Sequence, residues 1–198
     1  MGTADQLFPS VTAALDDVHR IQTTEAQVLR AMSRAQQWVT LRYRLLRRPF
    51  VLPLRAGVPL YHREALAPAS VSLLSGSLGG LPLSITPLSA LRYRDPQWLQ
   101  TSGLPTLLYC VRWSLWGVYP VPPVDMTGMV SCLVSARTLT TMTQILEVPD
   151  GYRNNIVQVT IGLLLLTRER AMQQGLARIQ AGLEMTAGAV RRLQGLTV

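Results

Sequence analysis

Residues 85–125, ITPLSALRYRDPQWLQTSGLPTLLYCVRWSLWGVYPVPPVD, constrain the fold of this chain more than any other stretch. Thr86 followed by Pro87 is a helix-start pattern, a capping hydroxyl ahead of the favoured proline position. Asp95-Pro96 stops that helix, because a residue before proline avoids the helical region. Gly103 and Pro105 punctuate a turn. Two apolar runs follow, Thr106–Trp113 and Leu115–Tyr119, and Pro120-Val121-Pro122-Pro123 closes the second. Three of the four tryptophans (Trp98, Trp113, Trp116) lie here. Set in apolar runs, they read as core rather than as a stacking platform. Strand patterns flank this stretch, and helical patterns occupy both chain ends.

The helical ends show a spacing of three and four. Ser10 is a cap for a helix over 10–21, with Val11, Ala14, Leu15, Val18 and Ile21 on one face. Thr23 or Thr24 caps a longer helix that runs to about Leu46, with Val28, Met32, Ala35 and Val39 inward. Pro49 is expected to end it. Phe50–Leu54 and Val58–Tyr61 read as short strands across an Ala56-Gly57 turn. Val71–Ser77 and Leu81–Ile85 read as a hairpin through Gly79-Gly80. Pro82 marks its second strand as an edge or a bulge. Gly128–Arg137 is another strand pattern, while the threonine-rich 138–148 is ambiguous. Pro149-Asp150-Gly151-Tyr152 opens a helix whose buried face is Tyr152, Ile156, Val159, Leu163 and Leu166. A last helix carries Met172, Leu176, Ile179, Leu183, Val190 and Leu193. Its glycines, Gly175, Gly182 and Gly188, either weaken it or mark close helix contacts. A partner subunit is expected to complete it.

These patterns predict an α+β fold: a helical bundle from both chain ends with an inserted small antiparallel β-sheet or sandwich region. The expected divisions are 1–48 for the N-terminal helices, 49–148 for the β-rich insertion and its short helix, and 149–198 for the C-terminal helices and tail. With 48% hydrophobic and 15% charged residues, the chain can bury a core and is not disordered by composition.

Charge narrows the partners. The net charge is +8 and all 19 basic residues are arginine. Eight of them, Arg30, Arg34, Arg42, Arg44, Arg47, Arg48, Arg55 and Arg63, lie between Glu25 and Glu64 with no acid among them. Such a region is either a solvated face or a patch for phosphate or an acidic protein surface. No secretory signal is expected from MGTADQLFPS, which has neither a basic nor an apolar region. Ile161–Leu166 is far short of the roughly 20 residues that span a bilayer, so a soluble protein without a membrane partner is expected.

No reaction is legible. His19 beside Asp16-Asp17 and His62 in Tyr-His-Arg read as surface or cap residues. Cys110 and Cys132 have no metal-ligand spacing and read as reduced core residues. No HExxH, GxSxG or P-loop pattern occurs, and Gly76–Gly80 lacks the lysine of a phosphate cradle. Catalytic, cofactor-binding and metal residues are therefore expected to be none.

Five short motifs nevertheless follow one another in a telling order. They are Gly80-Leu81-Pro82-Leu83; Asp95-Pro96-Gln97-Trp98; Gly103-Leu104-Pro105 with Tyr109; Tyr119-Pro120-Val121-Pro122; and Leu146 with Pro149 and Tyr152 ahead of a long helix. In this order, over about residues 10–175, the chain resembles the tailed-phage head-to-tail adaptor (connector, neck) proteins. Tyr109 lies one residue beyond that pattern, and the acid expected after Tyr-Pro-x-Pro is delayed to Asp125. The resemblance implies a non-catalytic virion protein of the neck, assembled in the host cytoplasm as a ring, commonly of twelve copies. Its implied partners are the portal protein, tail or nozzle and tube proteins, and genomic DNA passing through the channel. On that reading Arg42, Arg44, Arg47, Arg48 and Arg55 face the channel or a neighbouring subunit. The C-terminal segment with Leu183, Val190, Arg191, Arg192 and Leu193 meets the portal. The alternative is a basic nucleic-acid-binding protein using Arg30–Arg63.

Overall fold

A computed structural model of the protein describes residues 2–15, 23–112, 114–167 and 171–195, with side chains through residue 184. The elements in chain order are α1 (Ala4–Ala14), α2 (Glu25–Arg42), β1 (Arg47–Leu54), β2 (Leu60–His62) and α3 (Arg63–Leu66). Then come β3 (Ser70–Leu78), β4 (Leu81–Ile85), α4 (Leu88–Arg94), β5 (Leu107–Val111), β6 (Leu115–Tyr119) and β7 (Met126–Val134). A 3-10 turn (Asp150–Tyr152) leads into α5 (Arg153–Leu165) and α6 (Met172–Gly195). The chain divides into a helical unit, residues 1–46 with 135–198, and a sheet unit, residues 47–134.

In the helical unit α5 is the centre, packed by α1, α2 and α6. Ile156, Val159 and Ile161 are fully or almost fully buried, and each such side chain contributes about 1.5–3 kcal/mol by leaving water. α2 starts where its sequence says. Thr24 Oγ1 accepts from the Gln27 amide at 3.3 Å and Gln27 Oε1 accepts from the Thr24 amide at 2.8 Å, a reciprocal capping box. Its buried face carries two polar residues that serve the irregular 135–149 segment. Ser33 Oγ accepts from the Leu139 amide at 2.6 Å, and Gln36 Nε2 donates to the Arg137 carbonyl at 2.6 Å.

The same segment explains why α1 begins at Ala4 and not at Ser10. Thr3 makes no side-chain cap. Instead the Ala4 and Asp5 amides donate to the Gln144 and Met142 carbonyls at 3.2 and 2.9 Å. These are orphan donors of a first turn, satisfied by distant backbone. Ser10 therefore lies inside the helix, directly after Pro9. Val18 and Ile21 lie outside the described residues, as do Asp16, Asp17 and His19.

α6 packs on α5 through glycine. A Cβ on Gly162 would come within 2.7 Å of the Gly175 carbonyl oxygen, and one on Gly182 within 2.8 Å of Val159 Cγ2. Gly175 and Gly182 thus mark close helix contacts within this chain. The packing around Gly188 lies outside the described residues.

The sheet unit overturns the expected small antiparallel insertion. It holds one seven-stranded sheet in the order β1-β7-β3-β4-β5-β6-β2. The sheet is mixed, because β4 and β5 run parallel, with Ser84 opposite Leu107 and Ile85 opposite Leu108. The physical reason is α4. It carries the chain back along the sheet between β4 and β5, and parallel neighbours need such a crossover. All seven strands feed one core: Leu52 and Leu54, Tyr61, Leu78, Leu83, Leu108, Trp116 and Val118, and Val130 and Cys132. The sheet unit is a layer with its own interior, so the chain is not a bundle with an insert.

Two proline expectations change with it. Pro49 does not end a helix. α2 stops at Arg42, Arg44 turns the chain with φ 53°, and Pro49 lies within β1. Both Pro49 and Pro53 fall on the exposed positions of an edge strand whose other positions point to the core, a place where a missing amide costs no ladder bond. β1 and β2 do flank the Ala56-Gly57 turn, but they pair with β7 and β6 and lie at opposite ends of the sheet order. Pro82 is not on an edge; β4 lies between β3 and β5, and the β5 ladder begins only at Ser84. The β3–β4 hairpin turns through Gly79 and Gly80 at φ 57° and 84°, which favours glycine.

Candidate functional site

The motif residues of the central stretch converge. Asp95 follows α4, where the chain breaks before Pro96. Its Oδ1 accepts from the Gln97 amide at 2.9 Å, and its Oδ2 accepts from Thr101 Oγ1 at 2.5 Å and from Tyr119 Oη at 3.1 Å. The Thr101 hydroxyl, opposed by partial burial and helped by the Gln97 amide and Tyr119, holds the carboxyl below its ordinary range. Burial first, and then the bond to Asp95, push the Tyr119 hydroxyl up.

Trp98 and Tyr109 lie beside this pair, ring centroids 5.1 Å apart at 87°. The Arg92 guanidinium carbon stands 6.0 Å from the Trp98 ring centre. Tyr109 is fully buried, and burial raises its pKa. Gly117 leaves room for its ring; a Cβ there would fall 2.0 Å from Tyr109 Cζ. Both carboxylate oxygens of Asp95 accept hydrogen bonds. Chemically the cluster locks α4, the 95–101 turn, β5 and β6 together.

The arginine region does not form one feature of one unit. Arg30, Arg34, Arg42 and Arg44 belong to the helical unit, and Arg47, Arg48, Arg55 and Arg63 to the sheet unit. Arg42 closes α2, Arg47 and Arg48 open β1, and Arg55 lies in the exposed turn after it. Among the described residues the ion pairs are Arg137–Glu147 at 3.6 Å and Arg153–Asp150 at 2.7 Å. The expected portal segment is only partly described. Leu183 packs partly buried against the helical core, while the side chains of Val190, Arg191, Arg192 and Leu193 lie outside the described residues.

The remaining candidates are the two cysteines, His62 and the tryptophans. Cys132 is buried, its thiol pushed up to about 11 by burial. Cys110 is exposed, contrary to the core reading, although it shares a face of β5 with the buried Leu108 and stands opposite Trp116. His62 precedes α3 without a side-chain cap bond. Trp98 and Trp116 are buried, and Trp113 lies outside the described residues. Among the described residues no three His, Cys, Asp or Glu side chains come together, and no helix is long and apolar enough to cross a membrane.

Two residues were missed in the sequence. Thr101 is a main support of Asp95, and only the fold of the 95–101 turn brings it there. Trp38 is 47% exposed on α2. Its spacing of four from Arg34 and from Arg42 was a legible signal. Comparison with protein-family models and with curated proteins returns no match for this chain.

Proposed function

We propose that this chain is a virion structural protein, a head-to-tail adaptor whose copies form a ring between portal vertex and tail around the DNA channel. One observation carries the reading. Residues from three motifs, Asp95 with Trp98, Tyr109, and Tyr119, join in a single cluster that binds the sheet unit internally. A motif set with that use suits a scaffold. Exposed apolar side chains on the sheet unit support assembly: Leu81 at 66%, Tyr93 at 93%, Leu104 at 58% and Val124 at 59%. Closed rings bury two different faces of each copy, and these side chains are candidates for such contacts.

Native mass measurement and negative-stain imaging of the purified chain test the proposal. A closed ring, commonly of twelve copies, is the expected result. A monomer at all concentrations that is also absent from particles would overturn it. Truncation after Glu184 tests the portal end separately. It removes none of the Gly175 and Gly182 packing on α5, and it should block joining to the portal while leaving both units folded.

A further inference from the structure

We infer that the exposed face of α2 binds single-stranded nucleic acid, with Arg30, Arg34 and Arg42 on phosphates and Trp38 stacked on a base. The four residues recur at every fourth position, so they form one slowly drifting row on one side of the helix. At 1.5 Å per residue the row is roughly 18 Å long. All four are exposed, while Val28, Ala31, Met32, Ala35 and Val39 fill the buried side. The row cannot turn inward.

Nothing in the described chain answers its charge. After Glu25 the helix carries no acid. Among the described residues no carboxylate lies within 4.0 Å of these three guanidinium groups. Glu184 borders the same groove as Arg42 but accepts from Gln180 Nε2 at 2.9 Å. Arg30 and Arg34 line a second groove with Gln27 and Thr167, and no acid lines that one. Like charges at this spacing repel until a polyanion joins them.

The indole decides between polyanions. A base gives Trp38 a planar partner, which an acidic peptide does not, and a base can stack only when its strand is unpaired. The inference rests on α2 alone, and the ring proposal stands or falls separately.

The test is fluorescence anisotropy of the full chain with a labelled oligothymidylate of about 20 nucleotides, across about 50–200 mM salt. Three phosphate contacts should give a log-log slope near −2, at about −0.7 each. The Arg30→Ser/Arg34→Ser/Arg42→Ser variant should bind weakly with a nearly flat slope, and Arg34→Ser alone should lose about one contact. Trp38→Ala should lower affinity roughly tenfold at unchanged slope, and Trp38→Phe should retain most of it. Unchanged binding by the triple variant overturns the inference. So does equal or tighter binding of a duplex of the same length, or of polyglutamate, which would give this face to duplex DNA or to an acidic protein. Circular dichroism and native mass of each variant report fold and assembly apart from binding.

Discussion

Trp98 stands edge-on to Tyr109, centroids 5.1 Å apart and planes at 87°, so the 95–101 turn is pinned to the middle of β5. Both rings are buried, and such a pair adds about 0.5–1.5 kcal/mol beyond the area it covers. Trp98→Ala should therefore destabilise the protein by about 3–5 kcal/mol in urea or guanidinium unfolding. Tyr109→Phe should cost far less, because the Tyr109 hydroxyl has only a long bond, 3.4 Å, to the Pro59 carbonyl. Equal losses for the two variants would mean that the hydroxyl, and not the ring contact, holds this corner.

Asp95 makes stability depend on acid. Its folded pKa lies below the ordinary 3.8, chiefly through Thr101. A depressed carboxylate contributes stability above its unfolded pKa and loses it as pH falls through the folded value. The stability gap between the native chain and Asp95→Asn should thus be widest above about pH 4 and should close below it. Thr101→Val should raise the Asp95 titration midpoint in an NMR pH series. A gap of the same size at both ends of that range would show the carboxylate is not the stabilising species.

Gly162 reverses an ordinary rule. Alanine in a helix interior usually gains about 1 kcal/mol over glycine. Here the new Cβ would meet the Gly175 carbonyl oxygen at 2.7 Å and the Ile179 amide nitrogen at 2.9 Å. Backbone atoms cannot move aside cheaply, so Gly162→Ala should destabilise by about 1–3 kcal/mol. Gly151→Ala is the control, since nothing lies within 4 Å of its added carbon. Thermal melts of the two variants should differ in sign or clearly in size.

The start of α2 should be separable from its packing. Thr24→Ala removes both bonds of the capping hydroxyl and should cost about 1 kcal/mol, while Thr24→Ser should be nearly neutral. Hydrogen exchange at the Gln27 amide reads the local effect directly; unaltered exchange in the alanine variant would show the cap is dispensable.

Cys132 should resist alkylation by iodoacetamide at pH 8 in the folded chain, because burial holds its thiol up to about 11 and closes access. In denaturant it should react at the rate of an ordinary thiol. Counted by mass, native wild type should rapidly take one label, at Cys110, as native Cys132→Ser does; a second rapid label on the native wild type would overturn this.

What the residues determine by themselves are the features whose cause is local. Thr24 and Gln27 are three apart, so a capping box follows from spacing. Gly79-Gly80 can adopt the left-handed turn that closes β3 on β4, and Asp95-Pro96 stops α4 wherever the helix is placed. The tertiary structure alone decided the rest, because those causes lie far apart in the chain. α1 begins at Ala4 because carbonyls some 140 positions later receive its amides. Pro49 belongs to a strand because β7 covers one side of β1 and leaves the other open. β4 and β5 run parallel because α4 crosses between them, which a string of residues does not announce. Gly162 and Gly175 are helix contacts because two backbones meet there. Spacing along one element is written in its residues; which carbonyl, edge or backbone arrives from elsewhere is settled only when the chain packs.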